Sequence, residues 1–284
     1  RIPRIGKCYL IAGNTYGFGI PIIPSDTATR NALATEEYAW LRRHQMGVRD
    51  EPAFGHYFTD WWGKYGANGT ISKHPEYFAY PPIAGEPGTV PPTAPPSGDQ
   101  TRMKQNVSHP DVWALRMTEA GSSTRINCCP TDSKYHCTCV NCMAWDRPTG
   151  QSASTVWSSG TARLGDRYTN FYNEIARLAK ARNPASVVYG YAYDVYRYAP
   201  YEAMVDDNVA LAYIAGTTSS ADLTALSSAQ NDVLGWVAHC CQMMYLRPNW
   251  MLAAHCGPFW PLQRNGDVFI SWTATGGFMG FDSD

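Results

Sequence analysis

The second half of the chain alternates short apolar runs with longer segments of helical periodicity. Residues 166–182 carry apolar side chains on one face at helical spacing, and Asn183-Pro184 ends the segment. A second helix is predicted at 220–240. Between and around these helices, strands are predicted at 125–129, 186–193, 209–216, 242–246 and 276–281. Strands joined by crossovers of this kind indicate parallel βαβ units.

The first half is less regular. It predicts a helix at 34–44, a strand at 53–58 and irregular first strands within 8–23. The proline-rich segment 81–98 excludes a helix or a central strand, so we expect an extended surface loop. The barrel-like pattern starts before this segment and continues after it. The loop is therefore an insertion within a domain rather than a linker between domains.

These elements predict an α/β fold, a (β/α)8 TIM-type barrel that is incomplete or irregular at its N-terminal end. The sequence contains no internal repeat, which disfavours a solenoid or a propeller. We expect one domain over residues 1–284, belonging to a longer protein.

Composition narrows the choice of partners. Lys and Arg total 23 against 24 for Asp and Glu, so no basic field exists to hold nucleic acid. The longest apolar runs are too short for a membrane span. Charged residues make up only 17% and aromatic residues 13%, which favours a protein that stacks aromatic rings on sugars. We expect a secreted or periplasmic protein with a carbohydrate partner. The sequence does not indicate an oligomeric state.

Carboxylates that follow the strands are the candidate catalytic groups, because functional residues of such barrels lie at the C-terminal ends of strands. Glycoside hydrolysis uses two carboxyl groups, one as acid and one as nucleophile or base. Asp132 is the first choice for the acid, and Asp194 and Asp282 are candidates for its partner. The alternative for Asp132 is a cap on the following turn.

Other polar and aromatic residues near the predicted strand ends are candidates for binding a sugar. Arg247 and Lys104 suit a substrate carboxylate, because cationic side chains form strong hydrogen bonds to it. Trp61 and Trp62 fit either a substrate cleft or the core, and a structural histidine is an alternative for His56. The candidate substrate-binding residues are His56, Trp61, Trp62, Tyr193, Arg247, Asn249 and Trp250.

The densest group of potential ligands is His136 followed by Cys137, Cys139 and Cys142. Three thiols and an imidazole match the ligand set of a structural zinc site, although the spacing is shorter than in the familiar zinc motifs. Disulfides with Cys128, Cys129 or a distant cysteine are the alternative, and redox catalysis is a third. The hydrolytic chemistry requires no cofactor.

Taken in order, these motifs resemble the bacterial family called domain of unknown function 4838, from about residue 35 to the end. The resemblance implies a glycoside-hydrolase-like barrel, related in architecture to α-glucuronidases and β-hexosaminidases. The residues that carry it are Gly55-His56, Asp60–Trp62, His74–Ala79, Val107–Val112, Pro130–Asp132, the Cys137, Cys139 and Cys142 loop, Ala144–Asp146, Arg167–Asn173, Tyr191–Tyr193, Leu246–Asn249 and Gly280–Ser283.

The sequence thus predicts a glycoside hydrolase that acts on a complex or uronic-acid-containing polysaccharide. The alternative from another class is a non-catalytic carbohydrate-binding or structural extracellular protein that retains the barrel. A zinc-dependent hydrolase is disfavoured, because the chain lacks an H-E-x-x-H or similar pair.

Overall fold

A parallel β-sheet flanked by helices forms the centre of the protein. The computed structural model describes residues 4–5, 28, 53–214, 223–239, 241, 243–247 and 278–281. The predicted elements at 8–23 and 34–44 lie outside these residues. The strands are β1 (Arg4–Ile5), β2 (Arg125–Asn127), β3 (Val187–Ala192), β4 (Val209–Tyr213), β5 (Met243–Leu246) and β6 (Phe278–Phe281).

The order of strands across the sheet is β1-β6-β5-β4-β3-β2, and every neighbouring pair is parallel. Val188 lies opposite Val209, and Ala210 lies opposite Met243. No pairing joins β1 to β2 in the described ranges, so the sheet is open in this part of the chain. The α/β class and the parallel sheet are therefore confirmed.

The central strands are buried along most of their length. All five residues of β4 are buried, as are five of the six in β3. Near-continuous apolar runs of this kind are typical of parallel strands that are covered on both faces. The same runs made these strands predictable from the sequence.

Helices pack against the sheet. The helix Gly165–Arg182 does so through an aromatic contact. In that helix Tyr172 lies over Gly190, where a Cβ atom would come within 2.5 Å of the Tyr172 ring, and its hydroxyl donates to the carbonyl of Tyr191 at 2.9 Å. No helix in the described ranges is both long and apolar enough to cross a membrane. The described helices are α1 (Trp61–Tyr65), α2 (Pro110–Ala120), α3 (Val140–Ala144), α4 (Ala153–Ser158), α5 (Gly165–Arg182) and α6 (Leu223–Ala238).

The strand predicted at 53–58 is wrong. The segment is irregular up to a 3-10 helix at Phe58–Asp60. Gly55 has a φ of +146°, which is far from strand geometry, and its carbonyl accepts a hydrogen bond from the Asn127 side chain at 2.8 Å. The segment therefore passes beside the end of β2 without joining the sheet ladder.

The proline-rich segment 81–98 contains neither helix nor strand, apart from an isolated bridge between Ile83 and Glu86. Most of its residues are exposed. Gly88 ties it to the rest of the protein, because its amide donates to the carbonyl and hydroxyl oxygens of Thr138, both at 3.1 Å. The loop thus runs over the surface and contacts the cysteine-containing segment.

Candidate functional site

The carboxyl ends of the parallel strands lie along one edge of the sheet, and charged residues follow three of them. Asp132 comes after β2, Asp194 after β3 and Arg247 after β5. Side chains from two loops reach the same edge. We call this group the strand-end cluster, and it consists of His56, Lys104, Asp132, Tyr193, Asp194 and Arg247.

Lys104 is the buried centre of the strand-end cluster, with only 2% of its surface exposed. Its Nζ donates to the carbonyl oxygen of Thr131 at 2.5 Å and lies 5.3 Å from the centre of the Tyr196 ring. Burial lowers the pKa of Lys104 to about 7, against the opposing effect of the negative charges of Asp194 and Asp132. A desolvated amine therefore lies close to two carboxylates.

Both of those carboxylates belong to exposed residues, in contrast to the lysine. The Tyr193 hydroxyl donates to Oδ1 of Asp132 over a long 3.5 Å. Burial raises the pKa of Tyr193 to about 12, and the charges of Asp132 and Asp194 act in the same direction. Tyr193 consequently remains a neutral hydrogen-bond donor beside Asp132.

Asp194 has an unusual backbone conformation, with a φ of +49° at the start of a short 3-10 helix that ends at Tyr196. Positive φ is unfavourable for residues other than glycine, and Asp and Asn tolerate it best. Ala84, in the proline-rich loop, is the one other non-glycine residue of this kind in the described ranges. Local strain of this type is concentrated at functional sites, which draws attention to Asp194.

The His56 side chain is fixed by a hydrogen bond between Nδ1 and the carbonyl oxygen of Pro130, at 2.5 Å. A carbonyl oxygen only accepts, so the proton lies on Nδ1 and Nε2 is an acceptor. Although the residue keeps an exposed side, removal of water from the ring lowers the pKa of His56, and the charge of Lys104 adds to this effect. The ring lies edge-on to Tyr191, with 5.5 Å between centres.

Arg247 completes the cluster from the end of β5. Its backbone amide donates to the carbonyl of Tyr213 at 2.9 Å, which continues the pairing of β5 with β4 by one residue. Its guanidinium lies over the Tyr191 ring, 5.6 Å from the ring centre. The residue is half-buried and also lowers the pKa of His56 through its positive charge.

The structure does not bring every predicted residue to this edge. Trp61 and Trp62 are buried in the core. The indole nitrogen of Trp61 donates to Glu119 at 2.9 Å, and the Trp62 ring packs against Phe78. Asp282, Asn249 and Trp250 lie outside the described residues.

A second group of chemically active side chains lies after β2, in the loop that leads to α3 and in α3 itself. We call Cys137, Cys139 and Cys142 the thiol cluster, because their Sγ atoms all lie within 4.8 Å of one another. All three residues are buried. Burial raises the pKa of Cys137, whereas hydrogen bonds from the neighbouring thiols lower the pKa of Cys139. Three convergent sulfur atoms of this kind could hold a metal ion.

His136 is not part of this cluster, although it precedes Cys137 in sequence. Its Nδ1 lies 2.9 Å from the Tyr168 hydroxyl, and its ring lies edge-on to Tyr196. Nε2 is buried and has no hydrogen-bond partner among the described residues. Among the described residues, Cys128, Cys137, Cys139, Cys142 and Cys241 are free thiols, so no disulfide joins members of the thiol cluster.

Two polar residues beside the thiol cluster were not recognised from the sequence. Asn106 and Ser108 are buried, and their side-chain oxygens lie 3.2 Å and 3.1 Å from the sulfur of Cys142. A signal was available, because alternate polar residues in an extended segment point to the same side. It was too short to be distinguished from an ordinary polar loop.

Comparison with known proteins identifies one family. The family model described as "Domain of unknown function (DUF4838)" matches residues 26–265, which include the whole strand-end cluster and the thiol cluster. The comparisons with curated proteins and with solved structures gave no match.

Proposed function

The chain belongs to the family described as domain of unknown function (DUF4838), and from the site it carries we propose that it is a glycoside hydrolase. The observation that carries the proposal is the placement of Asp132 and Asp194. They follow adjacent strands, both are exposed, and both act electrostatically on the same buried amine of Lys104.

Hydrolysis of a glycosidic bond uses two carboxyl groups that flank the bond, and two such groups follow neighbouring strands here. One donates a proton to the leaving oxygen, and the other attacks the sugar or activates water. We assign the acid to Asp132 and the second function to Asp194. Neighbouring strands lie about 4.8 Å apart, so this placement is compatible with the separation of roughly 5 to 10 Å that such enzymes use.

The other members of the strand-end cluster have supporting roles in this proposal. Lys104 is too deeply buried to meet a polysaccharide directly, so it is a positioning residue for the two carboxylates. Arg247 is the cation for a substrate carboxylate, as in a uronic acid, because guanidinium binds carboxylates through paired hydrogen bonds. His56 offers Nε2 as an acceptor for a sugar hydroxyl, and the rings around it provide an aromatic wall.

The strand order supports closure of the sheet into a (β/α)8-type barrel. From β2 to β6 each described strand lies next to its neighbour in sequence, and β1 pairs with the last described strand, β6. In a parallel barrel the first strand pairs with the last one, whereas an open doubly wound sheet reverses its strand order near the middle. We also propose a secreted or periplasmic location, where polysaccharides are encountered.

The test is a screen of the purified protein against polysaccharides with and without uronic acids, in which new reducing ends are measured. We expect cleavage by the wild type and a loss of at least about 100-fold in Asp132→Asn and Asp194→Asn. Asp207→Asn is the matched control, because Asp207 is an exposed residue just before β4, at the opposite edge of the sheet.

Two outcomes would contradict the proposal. Undiminished cleavage by Asp132→Asn and Asp194→Asn would show that other residues perform the reaction. Binding of a glycan without cleavage would instead favour a carbohydrate-binding protein that retains the fold.

A further inference from the structure

The surroundings of the thiol cluster contain a fourth potential ligand. Oδ1 of Asn106 lies 3.4 Å from the sulfur of Cys139 and 3.2 Å from that of Cys142. The side-chain nitrogen of Asn106 donates to the carbonyl oxygen of Glu76 at 3.3 Å, which fixes the orientation of the amide. The oxygen, and not the nitrogen, therefore faces the sulfur atoms.

We propose that the thiol cluster and Oδ1 of Asn106 bind one zinc ion. The ion links the segment that contains Lys104 and Asn106 to the segment 137–142. Tetrahedral zinc with bonds of about 2.3 Å to sulfur separates its sulfur ligands by about 3.8 Å, and a sulfur and an oxygen ligand by about 3.6 Å. The sulfur atoms lie within 4.8 Å of one another, so movements of about 1 Å bring all three to this spacing, and Oδ1 of Asn106 is already at the spacing of an oxygen ligand from two of them.

Hydrogen bonds to the sulfur atoms suit thiolates. The backbone amide of Tyr80 donates to Cys137 Sγ at 3.3 Å, and that of Cys142 donates to Cys139 Sγ at 3.4 Å. Ser108 Oγ lies 3.1 Å from Cys142 Sγ and donates to Oδ1 of Asn106 at 3.2 Å, so its hydroxyl contacts both kinds of potential ligand. Donors of this kind around a metal site fix the ligands and balance their negative charge.

A positive charge also lies next to the cluster. The guanidinium of Arg167, which is 1% exposed, donates to the carbonyl oxygen of Cys137 at 2.6 Å and forms a buried ion pair with Asp146. This hydrogen bond holds Cys137, the first residue of the thiol cluster, against α5. It also offsets part of the negative charge of three thiolates in a buried place, where uncompensated charge is costly.

Other chemistries fit the cluster less well. An iron–sulfur cluster needs four protein ligands and is normally held by four cysteines. A disulfide would use two of the three sulfur atoms and leave the third as a buried thiol among polar groups. Zinc satisfies all three sulfur atoms and the amide oxygen together, and soft thiolate ligands favour it over calcium or magnesium.

The ion would link the two clusters of the protein. Asn106 comes two residues after Lys104, whose carbonyl accepts a hydrogen bond from the Ala79 amide at 2.9 Å. Zinc at Asn106 therefore holds the segment that places the Lys104 amine near Asp132. The effect on catalysis rests on the proposed function, whereas zinc binding and its effect on stability do not.

The first experiment measures zinc in the wild-type protein, purified under reducing conditions and dialysed against a zinc-containing buffer and then a zinc-free one. We expect one zinc ion per chain by native mass spectrometry and elemental analysis. The three thiols should resist alkylation until a chelator is added, and the chelator should lower the thermal midpoint. Absence of zinc, or a disulfide between two of Cys137, Cys139 and Cys142 located by peptide mass mapping, would overturn the proposal.

Variants identify the ligands. Cys139→Ser and Cys142→Ser should lose the zinc, while Cys241→Ala, a matched change of a buried cysteine outside the cluster, should keep it. Asn106→Ala should weaken zinc binding by about 10- to 100-fold, and Asn106→Cys should restore or tighten it. Equal zinc affinity in Asn106→Ala and the wild type would remove Asn106 from the site. Zinc content is measured without a glycan substrate, so this test is independent of the proposed hydrolysis.

Discussion

At the scale of single residues, Asp194 and Lys104 are each held in a state that is unfavourable by itself. Asp194 has a left-handed backbone, and Lys104 has an amine without water around it. Such states persist only where the surrounding structure enforces them. Both residues belong to the strand-end cluster. Substitutions can therefore measure how much each state lowers the stability of the fold, separately from its effect on the proposed activity.

For Asp194 we predict that asparagine is tolerated and alanine is not. Asparagine also adopts positive φ, so Asp194→Asn should leave the free energy of unfolding nearly unchanged. Asp194→Ala should lower it by about 1 kcal/mol, because alanine lacks the side chain that supports this conformation. Urea unfolding of both variants measures the difference. Equal stability of the two variants would contradict a strained backbone at this position.

For Lys104 we predict a pH-dependent stability. The pKa is about 7 in the folded protein against a reference value of 10.5, so between these values the unfolded chain binds more protons. The free energy of unfolding therefore rises with pH between these two values, by up to about 1.4 kcal/mol per pH unit. Below pH 7 the contribution of Lys104 to this free energy is constant. Urea unfolding between pH 7 and pH 10 should show that Lys104→Met lacks this slope.

The control for that experiment is Lys180→Met, which changes an exposed lysine paired with Asp207. It should keep the slope of the wild type, since the other titrating groups are the same. If Lys104→Met kept the slope as well, the low pKa of Lys104 would be excluded.

At the scale of elements, the sequence predicted those parts whose local pattern agrees with their packing. The predicted strand 186–193 corresponds to β3 and the predicted helix 166–182 to α5, because both carry long apolar patterns of a single period. The prediction of a strand at 53–58 was wrong. The aromatic residues of this segment resemble those of a strand, but the positive φ of Gly55 and the hydrogen bond to Asn127 give the backbone another course. Pattern alone does not contain such long-range contacts.

The same distinction applies to the candidate site. Asp132 and Asp194 could be named from the rule that functional residues follow strands, and in the structure the charges of both act on the Lys104 amine. Trp61 and Trp62 could not be assigned, because a pair of adjacent tryptophans has the same pattern in a cleft and in a core. The burial of Lys104 depends on contacts with Thr131 and Tyr196, which are distant in sequence.

The start of α5 allows a prediction about an element. The carboxylate of Asp166 accepts hydrogen bonds from the backbone amides of Tyr201, Glu202 and Ala203, all at 2.7 to 2.8 Å. Asp166→Ala would leave these donors without their partner, and we expect it to lower the free energy of unfolding by about 2–3 kcal/mol. Glu174→Ala changes a partly exposed residue of the same helix that pairs with the exposed Arg177; it is the control and should cost less than about 0.5 kcal/mol.

That prediction is measured by urea unfolding of the two variants beside the wild type. A cost for Asp166→Ala as small as that for Glu174→Ala would show that the loop at 201–203 is held by other contacts.

At the scale of the whole molecule, parallel strands in sequential order bring loops from distant parts of the chain to one edge of the sheet. The strand-end cluster draws on residues from His56 to Arg247, and the thiol cluster lies in the loop and the short helix α3 that follow Asp132. The fold therefore supplies the position of the carboxylates, and the proposed zinc ion supplies rigidity to the segment behind them.

The most direct test of the central claim, that Asp132 and Asp194 act as one catalytic pair, is a double-mutant cycle. It measures kcat/KM on the glycan that the wild type cleaves, for Asp132→Asn, Asp194→Asn and the variant with both changes. Residues that act as a unit are not additive, so we predict that the double variant is scarcely slower than either single variant. Losses that multiply in the double variant, or a wild type that cleaves no glycan, would contradict the account.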